Sequence, residues 1–175
     1  MKGKTLEQFD IDEIAYEDEI AKAFNKALHF LSFQMRSEYE VKKKLLDAGH
    51  GEAVVLEAIR KLENYGFLND ETYSKALLET KKRTLKKGPR AIRQDLKKKG
   101  IDKSLQDEVL ESFTYEEQLA IAMQLAEKEV RAGNRKTPTQ VKQKIQDVLM
   151  RKGYSFSIVS DVLERIQLER EEDEW

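Results

Sequence analysis

The residues able to do acid–base, nucleophilic or metal chemistry are few in this 175-residue chain, and their spacing argues against catalysis. The only imidazoles are His29 and His50. One lies within a helical pattern and the other between two glycines, so a shared metal site or acid–base pair is not expected. Gly49-His50-Gly51 lacks the spacing and the following Lys-Ser/Thr of a phosphate loop. There is no cysteine, which removes both disulfides and thiolate ligands and fits a reducing compartment. Serines fall mostly at helix starts, where capping explains them. The reading is a non-enzyme with no catalytic residue, metal or cofactor.

Charge is the more specific signal. Lys81 to Lys103 carries eleven basic residues against Asp95 and Asp102, a local +9 inside a chain whose total is −1. Such separation suits a polyanion or an acidic partner. A helix opened by Pro89 would place Arg90, Arg93 and Lys97 in one stripe at i, i+3 and i+7, with Ile92 and Leu96 turned to a core. In the preceding segment, Tyr73, Leu77, Thr80 and Thr84 are expected to face inward, and Lys75, Lys82 and Lys86 outward. From Arg131 to Gly153 seven basic residues face one acid, Asp147, a weaker +6. The expected contact residues are Lys82, Lys86, Lys87, Arg90, Arg93 and Lys97, with Arg131, Arg135 and Lys142 secondary.

The elements that must position these residues all read as helices. The chain is 37% charged with two prolines, and no apolar run reaches the ~20 residues a membrane span needs. No signal-peptide core opens it, so a cytoplasmic protein with no membrane partner is expected. Residues 1–18 are acidic and could hold a short helix capped by Thr5. A firm helix starts at Glu19 and runs to about Phe33. Ser37 with Glu40 is a capping box for a helix ending at Gly49, and a third helix ends at Gly66. Asp70 is the expected N-cap of a helix over residues 71–86, Gly88-Pro89 opens the next, and Asp102 caps the one after Gly100. A helix over 115–132, a Thr137-Pro138 capping box with Gln140, and a last helix capped by Ser155 complete the chain.

These elements repeat. With Gly49, Gly100 and Gly153 superposed, the residues four before are Leu45, Leu96 and Leu149, and those eight before are Val41, Ile92 and Ile145. Val54, Leu105 and Ile158 match five after, Ile59, Leu110 and Leu163 ten after, and Leu62, Phe113 and Ile166 thirteen after. The period is near 50 residues, and the third copy has a middle helix about one turn longer. This predicts an all-α fold of three tandem three-helix modules, over 19–66, 67–114 and 115–168, as an elongated, curved repeat. An acidic segment, 1–18, precedes them. An acidic tail, 169–175, is expected to fray, with Trp175 a loose residue.

LSFQMRSEYEVKKKLLDAG, followed by LENYGFLNDETYSKALLETKKRTLKKGPRAIRQDLKKKGI, resembles the RecX regulatory proteins of bacteria, from about Ala27 to Ile166. The shared motifs are Arg36-Ser37, Gly66 to Asp70, and Lys87, Gly88, Ile92, Leu96, Lys99 and Gly100. The resemblance implies three tandem three-helix modules and a monomeric regulator. It implies binding to the RecA filament on DNA, along its groove, and restraint of recombination and the SOS response to DNA damage. Arg36 joins the contact candidates by position, while Gln34 stands where the family often has a basic residue. Family members often carry further sequence before the first module, so the chain could be a fragment. A competing reading is a DNA-binding protein of helix-turn-helix-like modules acting without RecA, although Asn and Gln for base edges are scarce beside the basic stripe. Single- or double-stranded DNA is a weaker expected partner. A purely structural scaffold is the third reading.

Overall fold

The computed structural model describes residues 5–133 and 137–173, with nine α-helices and no strand among them. The helices are α1 (Leu6–Phe33), α2 (Glu38–Asp47), α3 (Glu52–Asn64), α4 (Asp70–Thr84), α5 (Pro89–Lys98), α6 (Lys103–Glu111), α7 (Tyr115–Ala132), α8 (Pro138–Lys152) and α9 (Phe156–Asp173). Contacts divide the chain into two compact units, Met1–Tyr73 with Lys99–Ile101, and Ser74–Lys98 with Asp102–Trp175.

The core of the first unit joins Ile20, Ala23 and Ala27 of α1 to Val41 and Leu45 of α2 and to Val55, Ala58, Ile59 and Leu62 of α3. Alanines on the α1 stripe allow close helix approach, and the large residues of α3 fill the space. In the second unit Leu119, Ala122 and Ala126 of α7 pack with Val141, Ile145 and Leu149 of α8 and with Ile158, Val159 and Val162 of α9. Ile92, Leu96, Val109, Leu110 and Phe113 are also buried there. The residues four and eight before each repeated glycine are fully buried in all three copies. α8 has 15 residues against 10 in α2 and α5, the lengthening read from its cap position.

Local signals decide most helix ends. The capping boxes at Ser37–Glu40 and Thr137–Gln140 both form, and Asp102 and Ser155 cap α6 and α9. Four expectations need correction. α1 is one helix of 28 residues, because nothing between Thr5 and Phe33 breaks it and the acids near residue 18 are solvated. The cap of α4 is Asn69, whose side chain accepts from Thr72 N–H at 2.9 Å, while Asp70 accepts from Glu38 N–H at 2.7 Å. α4 stops at Thr84, since Lys86 turns left-handed at φ 52°. α9 continues to Asp173, through most of the expected tail, and Trp175 lies outside the described residues.

The repeated glycines all take left-handed φ, at 90°, 74° and 92°. Two of them do more than end a helix. A Cβ on Gly100 would fall 2.4 Å from Tyr39 Cβ at the start of α2, and one on Gly153 would fall 2.5 Å from the Ala91 nitrogen in α5. Gly49 has nothing within 4 Å of that position. Gly49→Ala is therefore expected to cost about 1–2 kcal/mol for backbone strain alone. Gly100→Ala and Gly153→Ala should lose more, beyond about 3 kcal/mol, because a neighbouring chain must also move. Denaturant unfolding of the three variants measures this, and equal losses would remove the packing role.

Candidate partner-binding surface

The +9 segment is less available than its composition suggests. Lys82, expected to point outward, is 7% exposed. α4 turns Tyr73, Ser74 and Leu78 inward, and Lys82 follows Leu78 by one turn, whereas the expected inward residues Thr80 and Thr84 are exposed. Its ammonium lies 2.6 Å from Glu79, 3.3 Å from Glu117 of α7, and 5.4 Å from the Phe113 ring centroid. Burial pushes Lys82 down, but the Glu79 and Glu117 carboxylates outweigh it and hold it above the ordinary lysine value.

Lys87 lies 2.6 Å from Asp95, and Lys81 lies 3.8 Å from the same carboxylate. Arg93 pairs with Asp107 of α6, so the Arg90, Arg93, Lys97 stripe is interrupted at its centre. Arg83 pairs with Glu79, and Lys99 with Glu40. Five of the eleven cations remain without an ion pair among the described residues: Lys86, Arg90, Lys97, Lys98 and Lys103. All but Lys86, which is half-buried, are exposed.

Arg36 is also engaged inside its unit. Its guanidinium lies 4.4 Å over the Phe30 ring and 3.6 Å from Glu40, and the Gln34 side-chain oxygen, turned to satisfy both groups, accepts from it at 2.6 and 2.8 Å. Gln34 thus serves Arg36, whose guanidinium is tethered within its own unit. In the third copy Arg131 is exposed and unpaired among the described residues, whereas Lys142 donates to Gln167 at 2.9 Å. Arg135 lies outside the described residues.

Residues that the charge pattern passed over form a network around Glu40. Its carboxylate accepts from Lys99 at 2.6 Å and from Ser37 N–H at 3.2 Å. Burial raises the Glu40 pKa, but Lys99, the Ser37 N–H and Tyr73 outweigh it, leaving the group below its ordinary value. Burial and the Glu40 charge push Tyr73 strongly up. A signal for this existed in the sequence: Lys precedes the repeated glycine at Lys99 and Lys152, but Ala48 stands there in the first copy.

No group of three or more His, Asp or Glu among the described residues could hold a metal ion. A shallow depression on α8, of about 330 Å³, is lined by Gln140, Gln143, Lys144 and Asp147, with no nucleophile and base together. No helix among the described residues is long and apolar enough to cross a membrane.

Lys82→Ala is expected to destabilise the second unit by about 1–3 kcal/mol, since Glu79 and Glu117 lose their shared cation. Arg90→Ala and Lys97→Ala should change stability by less than about 0.5 kcal/mol. Denaturant midpoints at neutral pH test the contrast. Because the folded Lys82 pKa is raised, its contribution is complete below the unfolded lysine value near 10.4 and is lost as pH rises through the folded one.

Comparison with known proteins agrees with this architecture. Residues 23–62, 69–110 and 116–163 match the first, second and third three-helix domains of RecX. Regulatory protein RecX of Bacillus subtilis (strain 168) is 40% identical over 172 residues, covering 98% of this chain and 65% of that protein. Regulatory protein RecX of Limosilactobacillus reuteri is 37% identical over 177 residues, covering 99% and 67%. The chain thus spans about two thirds of the length of these relatives. The crystal structure of RecX from Lactobacillus salivarius superposes with a TM-score of 0.82 at 32% identity, covering 87% of this chain and 99% of that one. With all three of its domains matched in order and relatives named as regulatory proteins, this chain belongs to the RecX family.

Proposed function

We propose that the chain is a non-catalytic regulator that binds the RecA filament on DNA and restrains RecA in recombination and the DNA-damage response. The observation that carries this reading is the set of cations left without an internal partner at the end of α4 and along α5, chiefly Lys86, Arg90 and Lys97. An unpaired cation on a helix surface gives up only water on meeting an acidic patch or a phosphate. A paired one such as Arg93 must first lose its carboxylate. Arg90 can also grip carboxylate or phosphate with two parallel hydrogen bonds. Arg131 supplies a secondary contact in the third copy. Occupying a filament groove that must open and close would slow turnover without any catalytic group of its own.

The same cations suit DNA phosphates, so independent DNA binding is the reading to separate. Arg90→Glu with Lys97→Glu should raise the concentration needed to inhibit RecA ATPase on single-stranded DNA at least tenfold, about 1.4 kcal/mol, with helix content unchanged. Inhibition surviving the double change would move the contact elsewhere. Binding to bare duplex, measured across a salt series, should have a shallow log–log slope, since each phosphate contact contributes about 0.9. A steep slope with no effect on RecA turnover would favour the DNA-binding reading.

A further inference from the structure

The short connection between α4 and α5 is held in a conformation that its own residues disfavour. Among the described residues, Lys86 is the one non-glycine residue with a positive φ, at 52°. Glycine adopts that conformation freely, whereas the Cβ of a lysine is crowded there. Such an outlier persists only where its surroundings hold it, and it is a reason to look for function.

The surroundings are the turn that ends α8. Gly88 N–H donates to the Lys152 carbonyl at 2.8 Å and Arg90 N–H to the Gly153 carbonyl at 3.1 Å. In the other direction, Lys152 Nζ donates to the Leu85 carbonyl at 2.7 Å, and the Tyr154 hydroxyl to the Lys86 carbonyl at 3.0 Å. The two backbones touch, since a Cβ on Gly88 would fall 2.7 Å from the Gly153 carbonyl. The peptide that follows Lys86 is therefore gripped on both sides: Tyr154 donates to its oxygen, and its N–H, that of Lys87, donates to the Lys81 carbonyl at 3.1 Å.

Tyr154 is fully buried, and a buried phenol needs a partner for its hydroxyl. Packing alone could be served by an apolar side chain: Ile101 follows the repeated glycine in the second copy, and His50 follows it in the first. The hydroxyl adds what packing does not require, a fixed donor aimed at the carbonyl of the strained residue. Burial holds its pKa well above the ordinary tyrosine value, so it remains a donor at neutral pH.

We propose that Tyr154 is a positioning residue for partner binding, its hydroxyl clamping the left-handed Lys86 so that this cation is presented from a preformed backbone. The proposal rests on the reading of Lys86 as a contact. A cation on a loose turn must be ordered when its partner arrives, whereas a clamped backbone is already ordered by folding, so less affinity is lost. Buried as it is, Tyr154 acts through Lys86 rather than on the partner.

Tyr154→Phe keeps the ring and removes the hydroxyl. Amide exchange by NMR on the full chain, at pH 7, should show the Lys87 N–H exchanging about threefold faster or more, with Ile145 and Leu149 inside α8 unchanged. The concentration that half-inhibits RecA ATPase on single-stranded DNA should rise about threefold or more. Lys86→Ala is the matching variant, since alanine has the same crowded Cβ at that φ and lacks the cation. In the Lys86→Ala background, Tyr154→Phe should change inhibition by less than about 1.5-fold, the non-additivity of one residue acting through another. A merely structural tyrosine would cost the same factor in both backgrounds, and that result would overturn the proposal. So would an unchanged Lys87 exchange rate in Tyr154→Phe. Lys86→Ala inhibiting as well as the wild type would instead sink the reading of Lys86 as a contact, and the positioning role with it.

Discussion

A helix end that leaves its backbone bare is the constraint on which the packing of the repeats depends. The last carbonyls of a helix need partners, and a left-handed glycine supplies them by reversing the chain at low steric cost. At Gly100 and Gly153 the missing Cβ does a second job, because the space it would fill holds Tyr39 in one case and the Ala91 backbone in the other. A side chain there would clash with a group that cannot rotate away. The seat is therefore made of absence, and what docks in it can differ: a tyrosine ring at the first, the main chain of a helix start at the second. Gly49 ends its helix the same way with the seat empty of neighbours, so the conformation came without the packing.

How much of this could be read from the chain follows from how local each signal is. Capping boxes act over three residues, and apolar periodicity over one helix, so helix order, the repeat and its lengthened third copy were legible. The misplaced cap of α4 shows the limit. Asn69 and Asp70 are adjacent and both can cap, and the choice is made by Glu38, whose N–H at the start of α2 donates to Asp70 from 32 residues away. The apolar pattern of α1 sharpens at residue 19, which is why the sequence alone suggests a boundary there. Helix continuity needs only the absence of a breaker, and burial begins at Ile20 well inside the helix.

Electrostatic availability was far less legible. Local charge counts treat each lysine as equal, but pairing is decided by residues distant in sequence: Glu117 for Lys82, Asp107 for Arg93, Glu40 for Lys99. An inward stripe through Thr80 and Thr84 would leave Lys82 outside, but both threonines are exposed and Lys82 is buried. The actual stripe follows Leu78, and the long stem of Lys82 lets its ammonium reach two carboxylates while lying 5.4 Å from the Phe113 ring centroid. Mean exposure along a helix cannot be inferred from charge when a carboxylate waits below the surface.

That distinction also bears on how a basic face can recognise anything. A buried, doubly paired cation such as Lys82 contributes to the internal order of its unit, and removing it leaves two carboxylates facing each other. An exposed, unpaired one such as Lys97 or Arg90 adds positive field at the surface and has no internal pair to give up. The two classes alternate along a single 23-residue segment, so the surface it offers is narrower than its charge. The pairs fix the helices on which the remaining cations are spaced. The unpaired five stand at positions that Lys81, Lys82, Lys87 and Arg93 help to set, by joining α4 to α5 and α7, the turn after α4 to α5, and α5 to α6.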